Sequence, residues 1–237
     1  MQDLFKGAMK LGVRIQPSQE FQFRQYFQEL TDWNRRMNLT SVVELQRVEK
    51  VHFLDSLTVS LSLPKEVLFR GSLVDVGSGA GFPGVPLKIL FPTMSVTLIE
   101  SVAKKTAFLE HLVRVLGISG IAVRTGRSEI FARDPALREK FDVVVSRAVA
   151  SLRVLAELTL PFCRLGGLAV LQKKGDIDKE IRDAMNAVSK VGGNVFDVKH
   201  IPKEILAGKR SLVVLQKTKP TPEKYPRRSG FPAKRPL

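Results

Sequence analysis

The stretch Leu73-Val74-Asp75-Val76-Gly77-Ser78-Gly79-Ala80-Gly81-Phe82-Pro83-Gly84 decides the fold. Its apolar, β-branched start breaks into a glycine cluster, and Val85 to Phe91 then reads as a helix, so the segment is strand, tight loop, helix. α/β proteins hold nucleotide-like ligands at such junctions. Gly77, Gly79 and Gly81 let the backbone turn sharply and approach a ligand where a Cβ would intervene.

Three features choose among ligands. A dinucleotide fingerprint requires a third glycine where Phe82 stands, and no G-x-x-x-x-G-K-[ST] loop is present. Asp75 lies two residues before Gly77, where a carboxylate suits the cationic ammonium and sulfonium of S-adenosylmethionine (SAM). Glu100 ends the next strand and is placed to accept the ribose hydroxyls of an adenosine, with Ser128 and Glu129 following the third strand near an adenine edge. Ser-x-Glu types at a helix start are also ordinary caps, so that last pair is the weaker signal.

Length and composition fit one core with a small appendage: 237 residues, 44% of them hydrophobic. The net charge is +15, from 38 Lys and Arg against 23 Asp and Glu, which favours a polyanionic partner such as nucleic acid. Residues 217–237 are the most basic section, with seven Lys or Arg, one Glu and five prolines. This tail cannot build a core. It is either a flexible arm that orders on RNA or a segment lying over the body. Cys163 is the only cysteine, so neither an intrachain disulfide nor a cysteine-based zinc site is expected, and no metal is. Without a secretion signal or a long apolar run, the chain reads as cytoplasmic, without a membrane span, and monomeric.

Residues 1–70 read as a helical section packed on the sheet, 71–216 as the SAM-binding core and 217–237 as the basic tail. Phe23, Phe27, Leu30, Trp33 and Met37 mark one face of a helix over 21–37, begun at Pro17 and Ser18. Thr40 or Ser41 would cap a helix over 42–50, and a third would span 51–63. Strands are expected at 72–77, 95–100, 120–125, 141–146, 167–172, 194–199 and 211–216, with helices at 85–91, 102–116, 128–132, 151–161 and 176–191. The last two strands lack room for a crossover helix and should pair antiparallel. The expected architecture is α/β and Rossmann-like, a seven-stranded, mostly parallel sheet of the class I SAM-dependent methyltransferase kind.

Arg147 leaves the fourth strand on the reactive side. The following residues, Ala148 and Val149, do not form the Asn/Asp-Pro-Pro-aromatic grip on an exocyclic amine. A carbon-5 pyrimidine methyltransferase needs a cysteine nucleophile, and Cys163, read as late in a helix, is expected to be buried and inert. What remains is transfer to an already nucleophilic atom such as a purine ring nitrogen, where positioning supplies most of the rate. Arg147 would hold a guanine edge or a phosphate, while Lys173, Lys174, Lys209, Arg210, Arg227 and Arg228 are the candidates for RNA contact. His52 and Asp55 suggest a proton relay or half a metal site, although a structural hydrogen bond is the stronger reading.

The segments N-L-T at 38–40, H-F-L-D-S-L at 52–57, D-V-G-S-G-A-G-F-P-G-V-P-L at 75–87, E-S at 100–101, K-K-T-A-F-L at 104–109 and S-R-A at 146–148 resemble those of the RsmG (GidB) family, in the same order. The resemblance implies SAM-dependent methylation of ring nitrogen 7 of a guanosine in 16S rRNA, on rRNA or the small ribosomal subunit. It implies SAM contacts at Gly77, Phe82, Ser128, Glu129 and Arg147, and a ribose-side acid at Glu100. Methylation of another rRNA base or a protein, and a non-catalytic ribosome-assembly factor, are the alternatives.

Overall fold

The computed structural model describes residues 1–147 and 150–237. Ala148 and Val149, which belonged to the amine-grip comparison and the S-R-A segment, lie outside the described residues.

The glycine-loop strand is central. Seven strands, β1 (Ser72–Val76), β2 (Ser95–Glu100), β3 (Ile121–Thr125), β4 (Phe141–Arg147), β5 (Cys163–Lys174), β6 (Gly193–His200) and β7 (Arg210–Lys217), form one sheet in the order β3-β2-β1-β4-β5-β7-β6. The pairs among β1 to β5 are parallel, whereas β7 pairs antiparallel with both β5 and β6. The order reverses between β1 and β4, so the crevice beyond their carboxyl ends is where an open α/β sheet receives a ligand.

Eleven α-helices surround the sheet among the described residues. The N-terminal ones are α1 (Gln2–Lys10), α2 (Pro17–Met37), α3 (Leu45–Val48), α4 (Asp55–Leu57) and α5 (Lys65–Arg70). In the core lie α6 (Gly84–Leu90), α7 (Ala103–Val115), α8 (Ser128–Phe131), α9 (Leu152–Thr159) and α10 (Asp178–Lys190), and α11 (Phe231–Lys234) is in the tail. The core divides by sheet face. The N-terminal helices with α6 and α7 bury Phe23, Phe53, Leu87 and Phe108 on one side, while α9 and α10 bury Leu155, Phe162 and Ala187 on the other.

α2 starts where the sequence places it. Pro17 occupies its first turn, the side chains of Gln16 and Gln19 form a reciprocal cap, and Asn38 ends it in the left-handed region at φ 49°. Trp33 packs on α7, its ring 5.6 Å from that of Phe108. The next section differs from the expected two helices. α3, a π-helical segment (Glu49–Leu54), α4 and a 3₁₀ turn (Thr58–Ser62) run on without a break. Thr40 caps no helix, because its hydroxyl accepts the Val42 N–H at 3.0 Å and bonds His52 Nε2 at 2.7 Å. α1, which the apolar spacing left unread, is held by Glu49, whose carboxylate meets the Met1 amino group at 3.0 Å and accepts the Leu4 N–H at 3.0 Å.

Cys163 begins β5 rather than ending a helix, because α9 gives way to a 3₁₀ turn at Leu160–Phe162. Burial pushes its thiol up to about 12, so it carries no nucleophilic thiolate.

Of the two readings of the tail, the structure takes the second: it lies over the body. Tyr225 is buried with the α9 and α10 core. Arg138 donates to the carbonyls of Thr221 at 2.8 Å and Tyr225 at 2.9 Å, and Arg133 to that of Pro226 at 2.7 Å. Arg227 is corrected as an RNA contact, since its guanidinium is paired at 2.6 Å with the fully buried Glu157 of α9. Arg228 remains exposed. Removing one partner of a buried pair leaves an uncompensated charge, so Arg227→Ala should lower stability by about 3 kcal/mol. Arg228→Ala should change it by less than about 0.5 kcal/mol, and urea unfolding of both variants measures the contrast.

Candidate functional site

Two cavities meet at Arg147. The first is a cleft of about 400 Å³ walled by the glycine loop from Gly77 to Phe82, by Glu100, Ser101 and Lys105, and by Leu39, Thr40 and His52 of the helical section. Gly77 and Gly79 hold φ of 75° and 58°, the left-handed conformation that glycine adopts without strain. A Cβ on Gly81 would fall 2.7 Å from the Tyr26 hydroxyl, so this glycine keeps the loop against α2.

Glu100 sits at the loop's rim. Its carboxylate accepts the Gly79 N–H at 3.0 Å and the Val102 N–H at 2.9 Å, which fixes it toward the cleft with acceptor capacity left over. Asp75 does not line the cleft, and the direct contact with SAM expected of it is corrected. It is fully buried beneath the loop, where one oxygen accepts the Gly84 N–H at 2.8 Å at the start of α6 and the other has no partner. Burial pushes its carboxyl up to about 7, against the Gly84 hydrogen bond and the Arg147 charge, which pull it down.

Phe82 lies between rings. His52 stacks on it at 4.7 Å and Tyr26 at 5.2 Å, and the Arg147 guanidinium lies 4.8 Å from its ring centre. Arg147 donates to Asp55 Oδ2 and to the Val51 carbonyl, both at 3.1 Å, and its other terminal nitrogen lies 3.3 Å from His52 Nδ1. His52 Nδ1 also lies 3.0 Å from the Val51 carbonyl, its Nε2 bonds Thr40, and burial followed by the Arg147 charge lowers its pKa to about 4. His52 and Asp55 therefore hold Arg147 and form no proton relay. Among the described residues no group of three or more His, Cys, Asp or Glu is arranged to hold a metal.

The second cavity, about 240 Å³, lies on the β4, β5 and β7 side of Arg147 and is bounded by Asp55, Gln172, Lys174, Arg210 and Ser211. Arg147 pairs with Gln172 in sheet register, and Gln172 with Leu212, so the strand order itself brings these side chains together. Gln172 donates to the Asp55 carbonyl at 2.6 Å and leaves its Oε1 unpaired and buried. Arg210 Nε is likewise buried without a hydrogen bond, 3.5 Å from Asp55 Oδ1. Of the other basic candidates, Lys174 and Lys209 are exposed near this cavity. Lys173 is engaged instead with Glu180 at 2.7 Å and the Ala150 carbonyl at 3.0 Å. A third cavity, about 200 Å³, holds Ser128 and Glu129 beside Gly77 and Ile99.

Leu39, Thr40, Lys105 and Gln172 escaped the reading of single residues as site groups. Only the N-L-T and K-K-T-A-F-L segments signalled the first three.

The family model for rRNA small subunit methyltransferase G (GidB) matches residues 19–213. A relative from Dehalococcoides mccartyi, "Ribosomal RNA small subunit methyltransferase G", is 47% identical over 237 residues, covering 100% of both chains. The chain belongs to this family. The fold is also that of a SAM dependent methyltransferase from Aquifex aeolicus, at a TM-score of 0.54 and 16% identity over 74% of this chain and 94% of that one. The [4+2]-cyclase SpnF matches at the same TM-score of 0.54, with 14% identity over 70% of this chain and 81% of that one. The fold alone therefore does not choose the reaction. Family membership makes the chain a SAM-dependent methyltransferase of small-subunit rRNA, and its glycine cradle and the free acceptor capacity of Glu100 fit that cofactor.

Asp75 supplies a test of the buried loop support. Its folded pKa of about 7 exceeds the usual 3.8, so the folded state binds the extra proton and its stability falls as pH rises through that window. His52 works oppositely, because its lowered pKa costs stability as pH falls from about 6.5 toward 4. The melting temperature of Asp75→Asn relative to wild type should rise from pH 5 to pH 8, since the amide cannot ionise. In a chain of this size each kcal/mol moves Tm by about 2–4 °C. A flat difference would show that the carboxyl does not titrate there.

Proposed function

We propose that the protein methylates ring nitrogen 7 of a guanosine in 16S rRNA, acting as a cytoplasmic monomer. The observation that carries this reading is the position of Arg147, which lines both the cofactor cleft and the basic cavity and so marks the line of transfer between them. We place the methionine and ribose parts of SAM against Gly77, Gly79, Phe82 and Glu100, the adenine near Ser128 and Glu129, and the acceptor base in the cavity of Gln172 and Arg210. When bound, SAM supplies a methyl group on a cationic sulfur.

Ring nitrogen 7 has a free lone pair and no proton, so the protein needs no general base and its task is orientation. The surroundings of Arg147 agree with this. Burial holds His52 neutral, and the Asp55 carboxylate is engaged with Arg147 and lies beside Arg210, so both serve to place Arg147. The Asp55 carboxylate also offsets the Arg147 charge at 3.1 Å, which spares the cationic product ring from an unscreened guanidinium. Guanine presents adjacent donor and acceptor groups, N1–H and O6. These complement the unpaired Gln172 Oε1 acceptor and Arg210 Nε donor. Both atoms are closed to water, so the base would enter by a small displacement of these side chains. Of the basic residues singled out by the sequence, Lys174, Lys209 and Arg228 are exposed and left to meet phosphates.

The cationic ring of 7-methylguanosine is reduced by borohydride and the strand is then cut by aniline, which locates the product. Deproteinised 16S rRNA and small subunits incubated with protein and SAM should give one strong cleavage. Methyl incorporation without aniline cleavage would move the acceptor to another atom, and no incorporation into any ribosomal substrate would favour an assembly role. Gln172→Leu should lower kcat/KM for rRNA by about 10- to 100-fold, because the incoming base loses its acceptor. Its SAM affinity, measured by calorimetry, should stay within about twofold.

A further inference from the structure

The tail has more to do than cover the body. The third cavity is lined on the core side by Gly77, Ile99, Ser128 and Glu129, and on the other by Gly230, Pro232 and Ala233. We propose that the C-terminal segment around α11 is a wall of the adenosine compartment, so that the tail is part of the cofactor site. This rests on the placement of the adenine near Ser128 and Glu129.

Separate contacts hold the wall in place. The Gly230 N–H donates to Glu129 Oε1 at 2.7 Å, tying the tail to the residue expected at the adenine edge. Gly230 has φ 77°, which turns the chain into α11 and brings Pro232 and Ala233 over the cavity. On the core-facing side, Glu157 accepts both the backbone N–H of Arg227 at 2.7 Å and its guanidinium, and it lies on α9 between Val154 and Leu158, two further residues of the cavity. Arg153, also on α9, donates to the Leu237 carbonyl at 2.6 Å and secures the chain end.

The chemistry of the compartment suits a flat heterocycle bearing an amino group. Ile99, Val154, Leu158 and Pro232 offer apolar faces, and Ser128 with Glu129 offers polar groups at one edge. Charge supports the same assignment. Arg227 is used internally, and Lys217 is buried with Glu139 at 2.9 Å and the Leu160 carbonyl at 3.0 Å. Two of the tail's seven cations thus serve to anchor it, and three core arginines, Arg133, Arg138 and Arg153, bind its carbonyls.

The test separates a cofactor wall from an RNA arm. Ala233 is exposed, so Ala233→Trp intrudes on the compartment without removing an anchor. Calorimetry should show its SAM affinity reduced about 10- to 100-fold by overfilling, while a gel shift shows 16S rRNA binding unchanged. In the wild type, hydrogen exchange at the amides of residues 228–234 should slow when SAM is added. Failure of the wild type to bind SAM would overturn the cofactor placement and this proposal together. Normal SAM binding by the variant, or unaltered exchange in a wild type that binds SAM, would overturn this proposal alone. So would a loss of rRNA binding with SAM affinity intact.

Discussion

The buried pairing of Arg147 with Asp55 is the constraint on which the site depends. A guanidinium at the end of β4 is costly to bury, and the structure meets that cost with a carboxylate, a backbone carbonyl, an imidazole nitrogen and an aromatic face. Those partners come from separate parts of the chain: Val51, His52 and Asp55 from the helical section, and Phe82 from the glycine loop. The same ion pair therefore joins the N-terminal helices to the sheet and sets the boundary between the two cavities. Gln172 extends the linkage by donating to the Asp55 carbonyl from β5, and Arg210 approaches Asp55 from β7.

A second constraint acts beneath the loop. Asp75 holds the first N–H of α6, and Glu100 holds the N–H of Gly79, so two carboxylates on adjacent strands shape one turn of backbone from below and from the rim. Only the second faces the cleft. An acidic residue at the first position supports the cofactor site by organising the loop, whatever the charge of the ligand, and its raised pKa reflects how little water reaches it.

Much of the architecture was legible in the pattern of residues. Each parallel strand is a short apolar run after a turn signal, and the spacing between runs leaves room for a helix except before β7, which made the antiparallel end readable. The helical section was less so. Within its π-helical segment His52 reaches Thr40 and Arg147, contacts that apolar spacing cannot express. α1 escaped because its anchor, Glu49, lies far along the chain.

The sequence by itself determined that a glycine loop follows a central strand, that Glu100 and Arg147 end parallel strands at the same edge of the sheet, and that no cysteine or amine-gripping motif was at hand for other methyl-transfer chemistry. These are local or strand-periodic properties, and strand ends share an edge whenever the sheet is parallel. Tertiary structure alone decided that Asp75 lies below the cleft, that Gln172 and Arg210 face a common cavity, and that Arg227 turns inward. Each of these rests on a contact that local pattern does not express, with Gly84 beyond the folded loop, Asp55 on α4 and Glu157 on α9. A basic, proline-rich tail is indistinguishable from a solvated arm until a buried carboxylate is found waiting for one of its arginines.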